Sequence, residues 1–445
     1  MEVRGQSHDG DVERIARAVR ARRAAEGPVR IDKGGVSHFV PVPGDPRRRA
    51  ARIDIAPLHR VLEIDRDGGR CVAEPGAPFA DVLRATLKRG WMPAVVPELE
   101  GITLGGAVAG CSVESSSHRH GGFHDGCLEY EILTGEGEVI TCSPARDPLI
   151  FDMIHGSYGT LGILTQLAFQ LVPARPYVRM EYRHFTDFDS FQADLLAQCR
   201  GGDADFIDAI LHGPRSFVVC LGRSAATAPY VSSYRWLDIY HRSTRERRED
   251  YLTTYDYCFR YDTECHWMTQ TVPLLTSRPV RLAAGKLVLG STNLIRWSHR
   301  LERLLGKKRR PDVVCDVFLP ARRFEELYRW HERSLGYFPL WVVPYRVPRM
   351  YPWVAPAHAA RMADDLLIDC AIYGMPNGDP DVDLSEVLER KVFELDGIKT
   401  LISRNHYSVD RFWEIYNRPL YDEVKRRLDP SGVFGDLYQK VHRVA

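Results

Sequence analysis

The sequence predicts an α+β protein in two main parts, and three observations carry that prediction. The chain is 445 residues long, beyond the size at which single hydrophobic cores stop growing. Short β-like runs, helix-like stretches and glycine-rich segments alternate through the first 173 residues, a pattern that mixes both element types. After Pro173 and Pro176 the character changes to aromatic-rich strands mixed with helices, so a boundary is expected there.

The elements follow in order. Val12, Ile15, Ala16 and Val19 recur at helical spacing and predict an amphipathic helix from Asp11 to about Arg23. VRID, HFVPV, ARIDI, VLEID and CVAEPG are β-like runs punctuated by Gly, Pro and Asp. PFADVLRATLKRG predicts a helix with Asp81 near its start, Lys88 and Arg89 where cations suit the dipole, and Gly90 as its stop. A glycine-rich loop in VVPELEGITLGGAVAG and the polar SVESSSHRHGG come next. EYEILTGEGEVITC reads as a strand pair, LIFDMIHGSYG as helix and LGILTQLAFQLVP as strand. YDYCFRYDTECHW and LWVVPYRVPRMYPWV typify the second part, and the tail from Val409 is helical and charged, with DPSGVFGDLYQKV as a helix end and a short closing segment. The expected divisions are 1–175, 176–400 and 401–445.

Composition excludes several functions. Hydrophobic residues make up 44% and charged residues 27%, the balance of a globular protein. With 60 Lys and Arg against 59 Asp and Glu there is no net basic field to hold a nucleic-acid backbone. The 10 cysteines are scattered singly from Cys71 to Cys370 without a C-x-x-C or a His/Cys cluster, so reduced thiols in the cytoplasm and no metal site are expected. The N-terminus lacks a signal-peptide core, and no apolar run reaches the ~18 residues of a spanning helix. Membrane contact would then be peripheral, and LGKKRRP at 305–311 reads as a solvated loop. Oligomeric state leaves no mark in the sequence.

Chemistry is concentrated in glycine. Gly101, Gly105, Gly106 and Gly110 lie within ten positions, interleaved with Thr103, Leu104, Ala107 and Ala109. Such density lets backbone N–H groups approach a diphosphate, and it serves a tight packing turn equally well. Neither G-x-G-x-x-G nor G-K-[ST] is present, which argues against a Rossmann or P-loop nucleotide site. KGGVSH at 33–38 offers a second anion-cradling turn, and HGSYGTLGIL spaces Gly156, Gly159 and Gly162 three apart. Convergence of three such segments on one extended cofactor is the simpler account.

In this order, the KGG turn, PELEGITLGGAVAG, ESSSHRHG, EYEILTGEGEVITCSP and GSYGTLGILTQLAFQLVPARPYV resemble the FAD-binding half of vanillyl-alcohol-oxidase-type (PCMH-type) flavoproteins. PELEGITLGGAVAGCSVESSSHRHG, VVCDVFLPARRF, PLWVVPYRVP and FWEIYNRPLYDEVKRRLDP are similar to the sterol Δ24-reductase branch of that family. The resemblance implies a two-subdomain FAD-binding domain at 1–175, an α+β substrate cap at 176–400 and a tail at 401–445 that returns to the FAD domain. It implies that Lys33, Gly34, Gly35, Val36 and Ser37 cradle the diphosphate, with Thr103, Leu104, Gly105, Gly106 and Ala109 along diphosphate and flavin. Glu114, Ser115, Ser116, Ser117 and His118 would continue that wall, and Gly159, Thr160, Gly162 and Ile163 would meet the adenine or ribitol side. The apolar N-terminal segment of animal members has no counterpart here. His38 stands past the GG pair, displaced from the linking histidine of covalent members, so FAD is expected to be noncovalent.

The family reading implies reduction of a C=C bond in a sterol or isoprenoid-like substrate, with NADPH as electron donor. An FAD-linked alcohol or sugar oxidase or dehydrogenase on the same scaffold is the alternative, and an inactive flavin-binding protein is the alternative of another class. Reducing an isolated alkene needs a positioned acid opposite the flavin. His406, Tyr407 and Tyr345 are the candidates, ahead of Arg260, Tyr261, Asp262, Glu264, His266 and Trp267. If 405–407 is a strand, only one of His406 and Tyr407 reaches the pocket. Trp341, Tyr351 and Trp353 would suit its walls.

Overall fold

The computed structural model describes residues 3–22, 27–35, 39, 40, 42, 45, 50–271, 275–294, 296, 297 and 310–443. Val36, Ser37, His38 and Pro41, the last two in the expected HFVPV strand, and most of LGKKRRP lie outside the described residues. The α+β class is as expected.

Helix α1 (Val3–Arg20) buries Val12, Ile15, Ala16 and Val19 against a parallel pair, β1 (Arg30–Asp32) and β2 (Arg52–Asp54). A second, antiparallel sheet contains β3 (Val61–Asp65), β4 (Arg70–Ala73), β5 (Trp91–Pro93), β6 (Cys127–Leu133), β7 (Val139–Cys142) and β8 (Ile163–Pro173). The long strand β8 is its spine, bonded to β4, β5 and β6. Against it lie α2 (Phe79–Leu87), α3 (Leu104–Gly110) and α5 (Pro148–Ile154), while the short helix α4 (Ser117–His120) packs on a third sheet. Helix α2 ends as its sequence suggests, with Gly90 at φ +78° just beyond it, a conformation glycine adopts without steric cost.

The third sheet has eight antiparallel strands: β9 (Tyr177–Phe185), β10 (Phe206–Gly213), β11 (Ser216–Ala225), β12 (Glu249–Thr253), β13 (Val313–Pro320), β14 (Leu340–Tyr345), β15 (Leu367–Met375) and β16 (Ile398–Lys399). Their order is β12-β9-β11-β10-β14-β15-β13-β16. Side chains alternate between its faces. Val219, Leu221, Val317, Leu319, Val342, Ile368 and Cys370 join a core with the helices Phe188–Gly201, Phe324–Ser334 and Leu384–Glu394. Phe206, Ile210, Cys220, Phe318, Trp341, Val343 and Ala371 point the other way, into a core shared with α2, α3, α5 and the second sheet. The tail also reaches the first sheets: Lys425 Nζ donates to Thr160 O at 2.7 Å, and Val29 N to Val433 O at 2.8 Å.

Two expectations change. LGGAVAG is the helix α3 and not a loop. Alanine, leucine and valine carry it, and tertiary packing overrides the glycine penalty of about 1 kcal/mol per residue. The segment around His406 is not a strand: Asn405 makes an isolated bridge to His442, and Ser408 caps the next helix.

Candidate functional site

Lys33 follows β1 and donates to Thr103 Oγ1 at 3.3 Å, the residue that precedes α3. A Cβ on Gly106 would lie 3.1 Å from that hydroxyl oxygen and 3.7 Å from Lys33 Nζ. Gly105 is glycine for another reason: its Cβ would sit 2.7 Å from Pro75 Cβ, and its N–H donates to Pro75 O at 2.8 Å. Gly34, at φ +71°, would place a Cβ 2.8 Å from that of Ala56. Gly35 beside it is open. No carboxylate pairs with Lys33 among the described residues, and burial pulls its ammonium down to about 8. A half-buried cation with no carboxylate partner, beside a glycine turn, is suited to an anionic ligand.

Helix α3 leads straight to the third glycine segment. Tyr158 N donates to Ala109 O at 3.2 Å, and a Gly156 Cβ would lie 3.7 Å from Cys111 Sγ. Gly159, at φ +72°, faces Ile31 beside the lysine turn, its Cβ 2.8 Å from Ile31 Cδ1. The structure thus brings Lys33, Thr103, Gly106, Ala109 and Gly159 into one continuous strip. Gly162 and Ile163 serve packing at the start of β8, where a Gly162 Cβ would meet Ile132 Cγ2 at 2.7 Å. Leu104 is fully buried in the core, and Thr160 Oγ1 is spent on Ser157 O at 2.8 Å.

Glu114, Ser115, Ser116, Ser117 and His118 are all buried, and their polar groups are occupied by protein. Glu114 Oε1 accepts from Arg260 Nη2 at 2.9 Å, Ser115 Oγ meets Tyr257 OH at 2.9 Å, and Ser116 Oγ donates to Ala94 O at 2.8 Å. Ser117 O accepts from Arg346 N at 3.0 Å. The segment therefore fastens the second sheet to the third. Burial pushes the Glu114 carboxyl up to about 7 against the pull of Arg260. Arg260 also reaches Asp208 Oδ2 at 3.3 Å, which Tyr261 OH and Trp341 Nε1 bond at 3.0 and 2.8 Å.

At the end of the glycine strip opens a cavity enclosing about 630 Å³ of atom-free space, part of it open to solvent. Gly110, Cys111, Gly156 and Tyr158 form one wall. Phe318, Tyr345 and Leu367 of the eight-stranded sheet form another, Tyr351, Trp353 and Tyr416 a third, and Lys399 and Thr400 close an edge. Trp353 stacks on Tyr351 with centroids 5.2 Å apart, while its Nε1 is buried without a hydrogen-bond partner. Such an orphaned donor beside a cavity calls for a ligand or water.

Tyr345 is the one candidate acid of the three that lines this cavity. Its hydroxyl bonds Tyr351 OH and lies 3.3 Å from Asp125 Oδ2, which also accepts from Tyr351 at 2.6 Å and from Gly122 N at 2.7 Å. Tyr407 OH donates to Glu389 O at 3.0 Å, and His406 N donates to the Glu389 carboxylate at 3.0 Å; neither lines the cavity. Burial and the Arg404 guanidinium hold His406 down at about 4. Asp125 and its neighbour His124 carry no local signal in the sequence; the His124 ring nitrogens are buried with no hydrogen-bond partner among the described residues, Nε2 lying 3.6 Å from Asp125 Oδ2. Asp208, Asp316 and Asp369 do carry one, for each stands inside an apolar run, FIDAIL, VVCDVFL and LLIDCAI, where a strand signal should exclude an acid.

A glycine strip with an uncompensated lysine, opening onto an aromatic cavity between two sheets, defines a scaffold for an extended anionic cofactor and an apolar partner. Residues 10–143 match the family described as FAD binding domain, so the chain carries an FAD-binding domain of the PCMH type. It is 24% identical to Delta(24)-sterol reductase of Homo sapiens over 402 residues, covering 87% of this chain and 77% of that protein. Delta(24)-sterol reductase of Arabidopsis thaliana is 23% identical over 487 residues, covering 99% and 85%. Cytokinin dehydrogenase 1 of Oryza sativa subsp. japonica is 33% identical over 160 residues, covering 35% of this chain and 29% of that protein.

The site fits FAD by its own geometry: an open backbone at Gly35, a Gly106 whose Cβ would crowd the Thr103 hydroxyl and Lys33, a cation lacking a carboxylate partner among the described residues, and a Trp353 donor at the cavity wall without a partner among them. Among the described residues no group of acids, His and Cys could hold a metal ion, and no helix is long and apolar enough to cross a membrane.

Proposed function

We propose that this protein reduces a C=C bond of a lipophilic, sterol or isoprenoid-like substrate, with FAD held noncovalently and NADPH as electron donor. The observation that carries the reading is the apolar, aromatic-walled cavity at the end of the glycine strip, and the reductases similar over most of the chain support it. Lys33 with Gly34, Gly35, Val36 and Ser37 would neutralise and cradle the diphosphate, and Thr103, Gly106 and Ala109 would present backbone to it. Gly159 and Thr160 would flank the same cofactor, and the buried Glu114 to His118 segment would hold the wall in place. Bound and reduced, FAD supplies hydride. Phe318, Leu367, Trp353 and Tyr416 would exclude water and seat an apolar chain or ring system. Tyr345, held by Asp125 and Tyr351, would orient the substrate at the wall.

The test is anaerobic mixing of the purified yellow protein with NADPH, NADH and candidate alcohols. Bleaching by NADPH followed by reoxidation with an alkenyl sterol is the expected result. Bleaching by an alcohol would establish the dehydrogenase alternative, and full flavin content with no turnover the inactive one. Acid precipitation should release the flavin into the supernatant, and a yellow pellet would show a covalent link.

A cytoplasmic protein touching the membrane surface suits such a substrate. Leu282 and Trp297 are 60% and 42% exposed, and ten of the chain's 60 Lys and Arg but one of its 59 Asp and Glu fall between positions 278 and 310. Exposed apolar side chains within a basic stretch favour anionic bilayers. Co-sedimentation with vesicles containing phosphatidylserine, lost in the doubly substituted Leu282→Ser, Trp297→Ser protein, is expected; equal binding to neutral vesicles would count against it.

A further inference from the structure

The cavity has a polar edge that none of the acids named above explains. Thr400 lines it, and its Oγ1 lies 3.3 Å from Asp316 Oδ2, while Thr400 N donates to Asp316 O at 2.9 Å. The other carboxylate oxygen, Asp316 Oδ1, accepts from Tyr373 OH. In the ladder between β13 and β15, Asp316 pairs with Ala371 and Phe318 with Asp369. The two aspartates are thus diagonal neighbours on the face that looks toward the second sheet.

Asp369 is 2% exposed, and its Oδ1 has no hydrogen-bond partner among the described residues. An ionised carboxylate there would face Asp316 and Glu98 with nothing to solvate it. Every group that faces the pair is accounted for. Glu98 bonds His266 at 3.1 Å, the His266 ring lies 4.5 Å from that of Tyr373, and Lys399 is paired with Glu389 at 2.9 Å. Burial and the neighbouring Asp316 and Glu98 raise Asp369 well above the carboxylate range, and burial lifts Asp316 to about 6.

We propose that Asp316 and Asp369 hold a proton between them and deliver it to the substrate through the Thr400 hydroxyl. This rests on the alkene-reductase reading. Thr400 passes its own proton to one alkene carbon and takes one from Asp316. The C=C π pair forms the new C–H bond, and the other carbon receives hydride from the reduced cofactor. The carboxyl pair, left with one more negative charge, regains its proton from solvent through the Tyr373, His266 and Glu98 cluster. Thr400 is the residue that touches substrate, and the two aspartates act through it.

The experiment mixes the holoenzyme, reduced with NADPH, with a sterol bearing an isolated trisubstituted alkene, and follows flavin oxidation against pH. Thr400→Val should slow oxidation about a hundredfold, the usual scale for a lost general acid, and Thr400→Ser should restore it. Asp316→Asn should be slow and should lose the fall in rate that the wild type shows as pH rises above about 6, in line with the pKa of that carboxyl. Flavin content and reduction by NADPH should stay at wild-type values in all three. In substrate-free protein at neutral pH, the infrared band of protonated carboxyl should be equal in wild type and in Thr400→Val and smaller in Asp369→Asn. Thr400→Val at the wild-type rate, failure of Thr400→Ser to restore it, or an unchanged band in Asp369→Asn would each overturn the relay. Wild-type flavin that stays reduced when the alkene is added without oxygen would overturn the reductase reading itself, and the relay with it.

Discussion

The two faces of the eight-stranded sheet are made of alternate residues of the same strands, and they differ in kind. Toward the three helices, β10, β13, β14 and β15 present Ala209, Val317, Leu319, Val342, Ile368 and Cys370, all apolar and buried. Toward the second sheet the same strands present Asp208, Asp316, Asp369, Trp341, Tyr345 and Tyr373 among their apolar neighbours. Both faces are dry. One gains stability from burial, while the other gives some up by taking carboxyl groups out of water, and a fold keeps buried acids where chemistry uses them.

The largest effect should follow from giving the helix face one residue of the other kind. Val342 is fully buried between β10 and β15. Val342→Asp would place an unpaired carboxylate there, with no partner to accept, and should cost more than about 4 kcal/mol or prevent folding. Urea unfolding measures it. A soluble, cooperative Val342→Asp protein of near-normal stability would erase the distinction between the faces.

Next comes the removal of a cation from the polar face. Arg260 is fully buried, pairs with Glu114 and Asp208, and lies 4.3 Å over the Tyr257 ring. Arg260→Leu should cost roughly 3–5 kcal/mol by leaving the two acids uncompensated. Glu114, already lifted to about 7 by burial, would then be held still higher. The loss should therefore shrink as pH falls from 8 to 5, when that carboxyl takes up its proton. A loss independent of pH would mean that Arg260 acts through packing alone.

Gly106→Val sharpens the contrast from the cofactor side. Its Cβ would meet the ends of two polar side chains, Thr103 Oγ1 at 3.1 Å and Lys33 Nζ at 3.7 Å, and not core, so a branched side chain there should strip most of the flavin and shift the unfolding midpoint little. Normal flavin absorbance in that variant would move the cofactor off the strip. Gly105 and Gly162 teach the opposite lesson, because a Cβ at either would meet protein within 2.7 Å.

These residues also show how much was legible beforehand. Helix α2 announced its ends through Asp81, Lys88 and Gly90, and the order of glycine segments announced the FAD-binding domain. Which glycine faces a ligand and which faces Pro75 or Ile132 depends on contacts distant in sequence, so density alone read α3 as a loop. The candidate acid fared likewise. His406 and Tyr407 were chosen as neighbours on a strand, but the segment bends around Glu389, whose carboxylate and backbone carbonyl it satisfies. The signal available was the acid inside an apolar strand, in FIDAIL, VVCDVFL and LLIDCAI. Strand pairing then decides that Asp316 and Asp369 meet, and pairing is not a local property.

The smallest expected effect is the one that separates the faces most cleanly. In the folded protein Asp369 is raised well above the ordinary carboxylate range by burial and by Asp316 and Glu98, while in the unfolded chain it titrates near 3.9. A group whose folded pKa lies above its unfolded value adds stability below the unfolded pKa, and that contribution is lost as pH rises toward the folded one. At pH 7 wild-type protein therefore holds Asp369 neutral at a cost that the unfolded chain does not bear. Asp369→Asn keeps the shape and removes the titration, so the variant should melt at or slightly above the wild-type temperature at pH 7. The difference should close as pH falls below about 3, under the unfolded pKa near 3.9, where both chains carry a neutral side chain in either state. A variant less stable at pH 7 by the roughly 1–3 kcal/mol typical of a lost buried hydrogen bond would show Asp369 to be a structural residue, and the polar face would then be one more core.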